Sequence, residues 1–244
     1  MQPMQKEELD QMKFRFFTNI SHELRTPLTL ILTPLDSVIK KIEDNKIKAQ
    51  LESIHQNANN LLKLVNQLLD FRKLEMNGEK INLSLCNIHE FTKAISLSFE
   101  EVIAHKEISF DWSVEAEKTQ LYVDTDKLYK IINNLLSNAY KFTPQGGHIG
   151  LHIKLTQREN VPLICFEISD TGCGIPTQEL PHIFTRFYQV NNKSGINTGS
   201  GIGLHMVQEY VKLHNGTIDV KSEPGKGSVF TVCLPTNLHP ASKE

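Results

Sequence analysis

Two apolar stripes constrain the first third of the chain more than any other feature. Ile20, Leu24, Leu28, Ile31, Leu35, Val38 and Ile42 recur at spacings of three and four, and Leu51, Ile54, Ala58, Leu61, Val65 and Leu68 repeat the pattern, widened by Leu62 and Leu69. That period lays an apolar seam along each of two helices between residues 6 and 75. The polar stretch Glu43 to Lys46 reads as the turn between them. Helices of roughly 30 to 40 residues would be about 45 to 60 Å long, and a lone pair cannot enclose faces this wide. A second copy would close them into a four-helix bundle, so a homodimer is expected.

Past a linker around Met76 to Lys80 the period changes. Strand-like runs fall at Ile81 to Leu85, Ile108 to Val114, Gln120 to Asp124, Ile149 to Thr156, Leu163 to Ser169, Thr217 to Ser222 and Val229 to Leu234. Helix-like runs lie between them at Ile88 to His105, Thr125 to Phe142, Thr177 to Phe184 and Gly203 to His214. The predicted fold is therefore an antiparallel helical hairpin forming a dimeric four-helix bundle, followed by an α/β sandwich with helices on one face of a mixed sheet. The boundaries read as 1–76 for the hairpin, 77–81 for the linker, 82–236 for the sandwich and 237–244 for an unstructured tail.

Charge adds an exclusion. A formal net charge of −2 gives no electrostatic reason to bind nucleic acid or an anionic membrane. The four cysteines, Cys86, Cys165, Cys173 and Cys233, have no CxxC or metal-ligand spacing, so reduced thiols in a cytosolic compartment are expected. No run approaches the ~18 apolar residues of a membrane span.

The run FFTNISHELRTPLTLILTPL, residues 16 to 35, sets a histidine and a glutamate side by side inside the first stripe. His22 sits midway between Ile20 and Leu24, about 200° around a helix from each, so it should face water, with Arg25 and Thr26 sharing its exposed side. An imidazole is a nucleophile when one nitrogen is free, and a neighbouring carboxylate such as Glu23 can manage the proton on the ring. Pro27 removes one backbone amide and crowds the Glu23 carbonyl.

Five further motifs follow. In IINNLLSNAYKFTP, residues 131 to 144, Asn134, Asn138 and Lys141 stack on one helix edge beside an apolar face. Neutral amide oxygens suit Mg²⁺, which draws most of its charge compensation from phosphates, and lysine supplies a point charge for those phosphates. In SDTGCGIP, residues 169 to 176, Asp170 ends a strand where its carboxylate can accept from an adenine amino group while Gly172 and Gly174 let backbone approach the base. GSGIGL, residues 199 to 204, opens a helix whose N-terminal amides suit phosphate, and the polar stretch Asn191 to Thr198 before it reads as a lid. It lacks the preceding strand and following acid of a dinucleotide-binding fingerprint. IFTRFYQV at 183 to 190 and GKGSVF at 225 to 230 complete the set.

These motifs, in this order, resemble the phosphoacceptor box and the N, G1, F and G2 boxes of bacterial two-component sensor histidine kinases, over about residues 10 to 235. The resemblance implies that His22 is phosphorylated, with Glu23 as its general base and Thr26 positioning water for dephosphorylation of a partner. It implies that Asn138 binds Mg²⁺ with support from Asn134, that Lys141 and Phe142 contact the nucleotide, and that Asp170 reads adenine. Gly172, Gly174, Gly199, Gly201, Gly203 and Leu204 would shape the ATP pocket and its lid, and Arg186 would reach the γ-phosphate. His205 departs from the alanine or serine usual in that family and reads as a structural substitution, with contact to phosphate as the lesser alternative.

The implied activity is Mg²⁺-ATP-dependent autophosphorylation of His22, then transfer to an aspartate of a response-regulator receiver domain, with possible phosphatase action. Two rivals stand beside it: a non-catalytic dimeric scaffold that binds nucleotide and transmits conformation, and an ATP-driven clamp of the gyrase and heat-shock chaperone type. The clamp lacks room for a transducer domain. The wording NISHELRTPLTLILTPL also resembles hybrid sensors of gut Bacteroidetes, which implies a cytoplasmic segment of an inner-membrane sensor.

Overall fold

The computed structural model describes residues 23–77, 80–115, 120–190 and 200–238. The chain divides into two compact units, Met1–Glu79 and Lys80–Glu244.

The first unit is a pair of helices. Helix α1 runs through residues 23–39 and α2 spans Asn45–Asn77. The turn between them lies at 40–44, a few residues before the expected position, because Asp44 caps α2: its Oδ1 accepts from the backbone N–H groups of Lys46 at 2.8 Å and Ile47 at 3.1 Å. Leu28 and Leu32 of α1 and Val65 and Leu69 of α2 are buried within the hairpin. Leu24, Ile31, Val38, Ile54 and Leu61, from the same two stripes, stay 45 to 52% exposed. The hairpin thus covers half of each seam and leaves the other half bare. Arg25, predicted to lie wholly on the exposed side, is half-buried and reaches across to α2, where its Nη2 donates to Asn66 Oδ1 at 2.7 Å. Its long stem explains the difference, since a side chain rooted at the edge of a seam can wrap onto the facing helix. The expected exposure of His22 lies outside the described residues, as does the tail from 239 onward.

The second unit carries strands β1 (Ser84–Asn87), β2 (Ser109–Val114), β3 (Gln120–Val123), β4 (His148–Arg158), β5 (Val161–Asp170), β6 (Thr217–Glu223) and β7 (Gly227–Pro235). Its helices are α3 (Ile88–Ile103), α4 (Thr125–Phe142) and α5 (Gly203–Leu213), with a 3-10 turn at Ala104–Lys106. Five strands form one mixed sheet in the order β2-β4-β5-β7-β6, in which only β2 and β4 run parallel. β1 and β3 make a separate antiparallel ladder.

Alternation along the strands decides which face is core. Ile149, Leu151 and Ile153 of β4, Ile164, Phe166 and Ile168 of β5 and Phe230, Val232 and Leu234 of β7 are buried, as period-2 side chains on one face must be. Onto this unit's core α4 brings Leu128, Ile131, Ile132, Leu135 and Leu136, and α5 brings Met206, Val207, Tyr210 and Val211. The other face of the sheet is polar: Asp111 pairs with His148 Nε2 at 2.7 Å and His152 Nε2 at 3.3 Å.

Three expectations change. The first strand starts at Ser84 rather than Ile81, because β3 provides partners only for Ser84 to Asn87. The predicted helix Thr177 to Phe184 is a chain of turns, with Glu179 N–H bonding Pro176 O, His182 N–H bonding Glu179 O and Thr185 N–H bonding His182 O. Pro181 explains it, having no N–H to donate and a ring that clashes with the carbonyl four residues back. Finally, Cys165 and Cys233 are bonded as a disulfide with their Cα atoms 4.1 Å apart, which corrects the expectation of four reduced thiols. They are direct register partners on β5 and β7, and their separation of 68 residues carries no spacing signal. Cys86 and Cys173 are free.

Candidate active site

In the second unit the separated motifs meet around α4. Asp124 caps this helix, and its amphipathic pattern buries Leu128, Ile131, Leu135 and Ala139 while Asn134, Asn138 and Lys141 remain half-exposed on an adjoining edge. The Asn134 amide is held by its own helix, Nδ2 donating to Lys130 O at 2.8 Å. Its Oδ1 faces the start of α5, 2.9 Å from where a Cβ on Gly203 would lie. A side chain at 203 would displace the Asn134 amide from this position. Leu204 follows, half-buried in the first turn of α5.

The far end of α4 meets the turn after β5. Cys173 N–H donates to Phe142 O at 3.3 Å, and the chain passes so close that a Cβ on Gly172 would lie 2.6 Å from that carbonyl oxygen and 2.7 Å from Asp170 Oδ1. Only glycine fits there. Asp170 closes β5 with its Oδ1 accepting from Gly172 N–H at 2.8 Å. Burial pushes its carboxyl up from the usual range, against the pull of hydrogen bonds from the Gly172 and Ser228 amides. Gly174 follows on the same turn, which is fastened to the β6–β7 turn by Gly225 N–H bonding Cys173 O at 2.8 Å.

Lys141 is partly buried beside Phe142, its Nζ 4.6 Å from the ring centroid. Burial lowers its ammonium from the ordinary lysine value, so an anion placed there would relieve a desolvated charge.

The turns after Phe184 dock onto the loop before α5. Phe187 N–H bonds Gly201 O at 2.9 Å. Gly201 has φ +67° and passes against the Phe187 backbone, a conformation and a contact that other residues resist. Arg186, exposed on this turn, donates from Nε to His205 Nε2 at 3.2 Å. The sequence singled out His205 as structural, with phosphate contact as the lesser alternative, and did not reveal its contact with Arg186. Its signal was an imidazole in the first turn of a helix that opens on a glycine loop.

The structure therefore brings Asn134, Gly203, Arg186 and Gly201 together at one end, and Phe142, Asp170, Gly172 and Gly174 at the other, with Asn138 and Lys141 along the helix between. Glu23 and Thr26 lie exposed on α1 in the first unit. His22, Gly199 and the lid stretch 191–198 lie outside the described residues. Among the described residues no group of three or more His, Cys, Asp or Glu could hold a metal. The donors are neutral amides and one cation, which fits Mg²⁺ carried by polyphosphate, with Asn138 the side chain that would hold it. The bare backbone at Gly172 beside a half-buried carboxylate fits a flat base, as adenine is.

Comparison with known proteins agrees with this division. Residues 12–77 match the family described as "His Kinase A (phospho-acceptor) domain", and residues 123–238 match "Histidine kinase-, DNA gyrase B-, and HSP90-like ATPase". The chain is 39% identical over 240 residues to Histidine kinase P4 of Formosa agariphila, covering 96% of the chain and 17% of that protein. It is 40% identical over 231 residues to hybrid signal transduction histidine kinase D of Dictyostelium discoideum, covering 93% and 15%. With sensor histidine kinase WalK of Bacillus subtilis it is 32% identical over 234 residues, covering 95% and 38%. The chain thus spans well under half the length of these relatives. In fold it is similar to full-length ShkA in complex with AMPPNP, with TM-score 0.74, 24% identity and coverage of 93% of this chain and 47% of that one. It is also similar to Acinetobacter baumannii histidine kinase AdeS, with TM-score 0.61, 21% identity and coverage of 89% and 98%.

Proposed function

The chain belongs to the two-component sensor histidine kinases, with a phosphoacceptor domain followed by an ATPase domain, and from that premise we propose that it phosphorylates His22 from Mg²⁺-ATP. It then passes the phosphoryl group to an aspartate of a receiver domain, in trans or in the same full-length protein, and acts as a phosphatase toward it with Thr26 positioning water. The observation that carries this reading is the meeting, in one unit, of the Asn134 edge of α4, the Asp170 turn and the glycine loop of α5.

In the reaction an imidazole nitrogen of His22 forms a bond to the γ-phosphorus as the bond to the β-phosphate oxygen breaks. ADP leaves, and the ring proton passes to Glu23. Little covalent work falls to the protein, so positioning and charge dominate. Lys141 and Arg186 offset the charge moving with the phosphoryl group, and Asp170 fixes the base so that the γ-phosphate lies at the arginine end. Mg²⁺, when bound through Asn138, supplies further charge compensation at the phosphates. Gly199, Gly201, Gly203 and Leu204 form the lid and its hinge, Gly172 and Gly174 the base pocket, and Phe142 the wall beside Lys141. The boundaries 1–76, 77–81, 82–236 and 237–244 serve this division, with the linker as pivot between acceptor and donor.

The half-bare seams of the hairpin support a homodimer, and a relative named as a sensor supports a place in a sensor protein, of which this chain would be a cytoplasmic segment at the inner membrane. No helix among the described residues is long and apolar enough to cross a membrane. Incubation with labelled ATP should yield an acid-labile, alkali-stable phosphoprotein that His22→Gln abolishes and Asn138→Ala greatly weakens. Equal labelling of the His22 variant would overturn the assignment.

A further inference from the structure

His205 sits in the first turn of α5, 8% exposed, with both ring nitrogens at polar partners. Nε2 lies 3.2 Å from Arg186 Nε, and Nδ1 lies 3.3 Å from Phe184 O. An arginine nitrogen can only donate, so Nε2 must present a lone pair. The ring proton therefore rests on Nδ1, where the Phe184 carbonyl can accept it. A neutral imidazole thus bridges the two ends of the turn that carries Arg186, and it does so from the helix that follows the glycine loop.

We propose that His205 is a positioning residue for phosphoryl transfer, holding the Arg186 guanidinium through Nε in the plane from which it engages the γ-phosphate. The inference rests on the role given to Arg186 above. Two observations favour it over simple packing. First, contact through Nε fixes the guanidinium plane while occupying neither Nη nitrogen, the pair that matches phosphate oxygens in a fork. Second, the turn is already fastened by backbone, Phe187 N–H to Gly201 O at 2.9 Å. The histidine is not needed to hold the loop itself. What it adds is a hydrogen bond to the guanidinium itself, which favours one direction of a long, exposed side chain.

Glutamine is the conservative replacement, its amide oxygen able to accept from Nε–H and its amide nitrogen able to donate to Phe184 O. Leucine fills the space without either contact. Autophosphorylation kinetics and ADP affinity should be measured for the wild type, His205→Leu, His205→Gln, Arg186→Ala and the Arg186→Ala/His205→Leu double variant. The expected result is a fall in kcat of about tenfold for His205→Leu, the low end for loss of a hydrogen bond to a charged group, and of less than about threefold for His205→Gln, which keeps an acceptor there. ADP has no γ-phosphate, so its affinity should stay unchanged in all four variants. The double variant should label no more slowly than Arg186→Ala alone.

Weakened ADP binding in His205→Leu would mean that the histidine merely supports the pocket, and it would overturn the inference. A further loss in the double variant would mean that the ring contacts phosphate itself, which also overturns it. Wild-type kinetics in His205→Leu would reject this inference and leave the proposed function standing. Wild-type kinetics in Arg186→Ala would instead remove the arginine's role, and the positioning role with it.

Discussion

Acid should unfold the ATPase unit through His214, and the structure sets the sign and the ceiling of the effect. The His214 side chain is fully buried. Its Nδ1 lies 2.8 Å from Tyr210 O, and its Nε2 accepts the Asp124 backbone N–H at 3.2 Å, so the ring is neutral with its proton on Nδ1. Burial draws its pKa below the ordinary 6.5, with Lys127 acting in the same direction and the Tyr210 carbonyl and the Asp124 charge opposing. The unfolded chain takes up a proton near the ordinary value and the folded one resists it. Stability is therefore full above that pH and declines as pH falls through it, by at most about 1.4 kcal/mol per pH unit, until the lowered folded value is reached. Asp124 acts in the same sense at lower pH, because the Asn82 amide, the Lys127 ammonium and the Lys127 amide outweigh its burial and hold its carboxyl below the usual range.

The assay is chemical denaturation followed by the fluorescence of Trp112, the single tryptophan, which lies in β2. His214→Gln removes the titrating group and leaves an amide. At about pH 7.5 the variant should be less stable by about 1 to 2 kcal/mol, the cost of a disturbed buried hydrogen bond. One unit below the ordinary histidine value that gap should narrow by up to about 1.4 kcal/mol, since only the wild type incurs the protonation penalty. The other histidines are common to both proteins and cancel in the difference. Parallel pH curves for the two proteins would refute the reasoning.

Gly172→Ala should weaken binding of ATP analogues by at least about tenfold, because the new methyl group meets the Phe142 carbonyl and Asp170 within 2.7 Å, and far-ultraviolet circular dichroism should stay unchanged. Leu61→Asp should convert the dimer to monomer by light scattering, since covering the bare half of each seam contributes about 1 kcal/mol per side chain and a charge there forfeits it. A dimer that survives the change would mean the seams are covered otherwise. Non-reducing peptide mapping should recover Cys165 linked to Cys233. Reduction should lower the stability of this unit by up to about 4 kcal/mol, the loop-entropy ceiling for 68 residues, and free thiols at all four cysteines would restore the sequence-based expectation.

The hairpin was legible because its signal is periodic and local: a stripe at three-four spacing states which face is apolar. It could not say which half of the stripe one chain covers, since Leu28 and Leu24 look alike until α2 is placed against α1. The sheet residues were legible by alternation, while the order β2-β4-β5-β7-β6 was not, because pairing is a long-range choice. The same limit hid the Cys165 pair. Thr177 to Phe184 failed for a local reason, Pro181, which the apolar pattern masked. At the site, residue types in Asn134, Asp170 and the glycines carried their chemistry openly. The bridge from His205 to Arg186 did not show, because it depends on a turn meeting the start of a helix across 19 positions.

The buried Asp124 and His214 pair also explains how the site keeps its register. Asp124 caps the start of α4 and His214 the end of α5, so the Asp124 to His214 hydrogen bond joins the first end of one helix to the last end of the other. Lys130 Nζ lies 5.7 Å from the Tyr210 ring centroid farther along the pair, and Asn134 meets Gly203 beyond that. These three contacts form an antiparallel ladder. About ten residues of helix, or about 15 Å, separate its first and last rungs. Sliding α5 by one residue against α4 would break the buried rung and carry Gly203 off the Asn134 edge together. Protonation of His214 should therefore loosen the buried rung before it disturbs the one at Asn134. Asn82 N–H is bound to Asp124 Oδ2 at 2.8 Å on the same rung, so the chain leaving the junction after Glu79 is anchored to the helix that carries the asparagines.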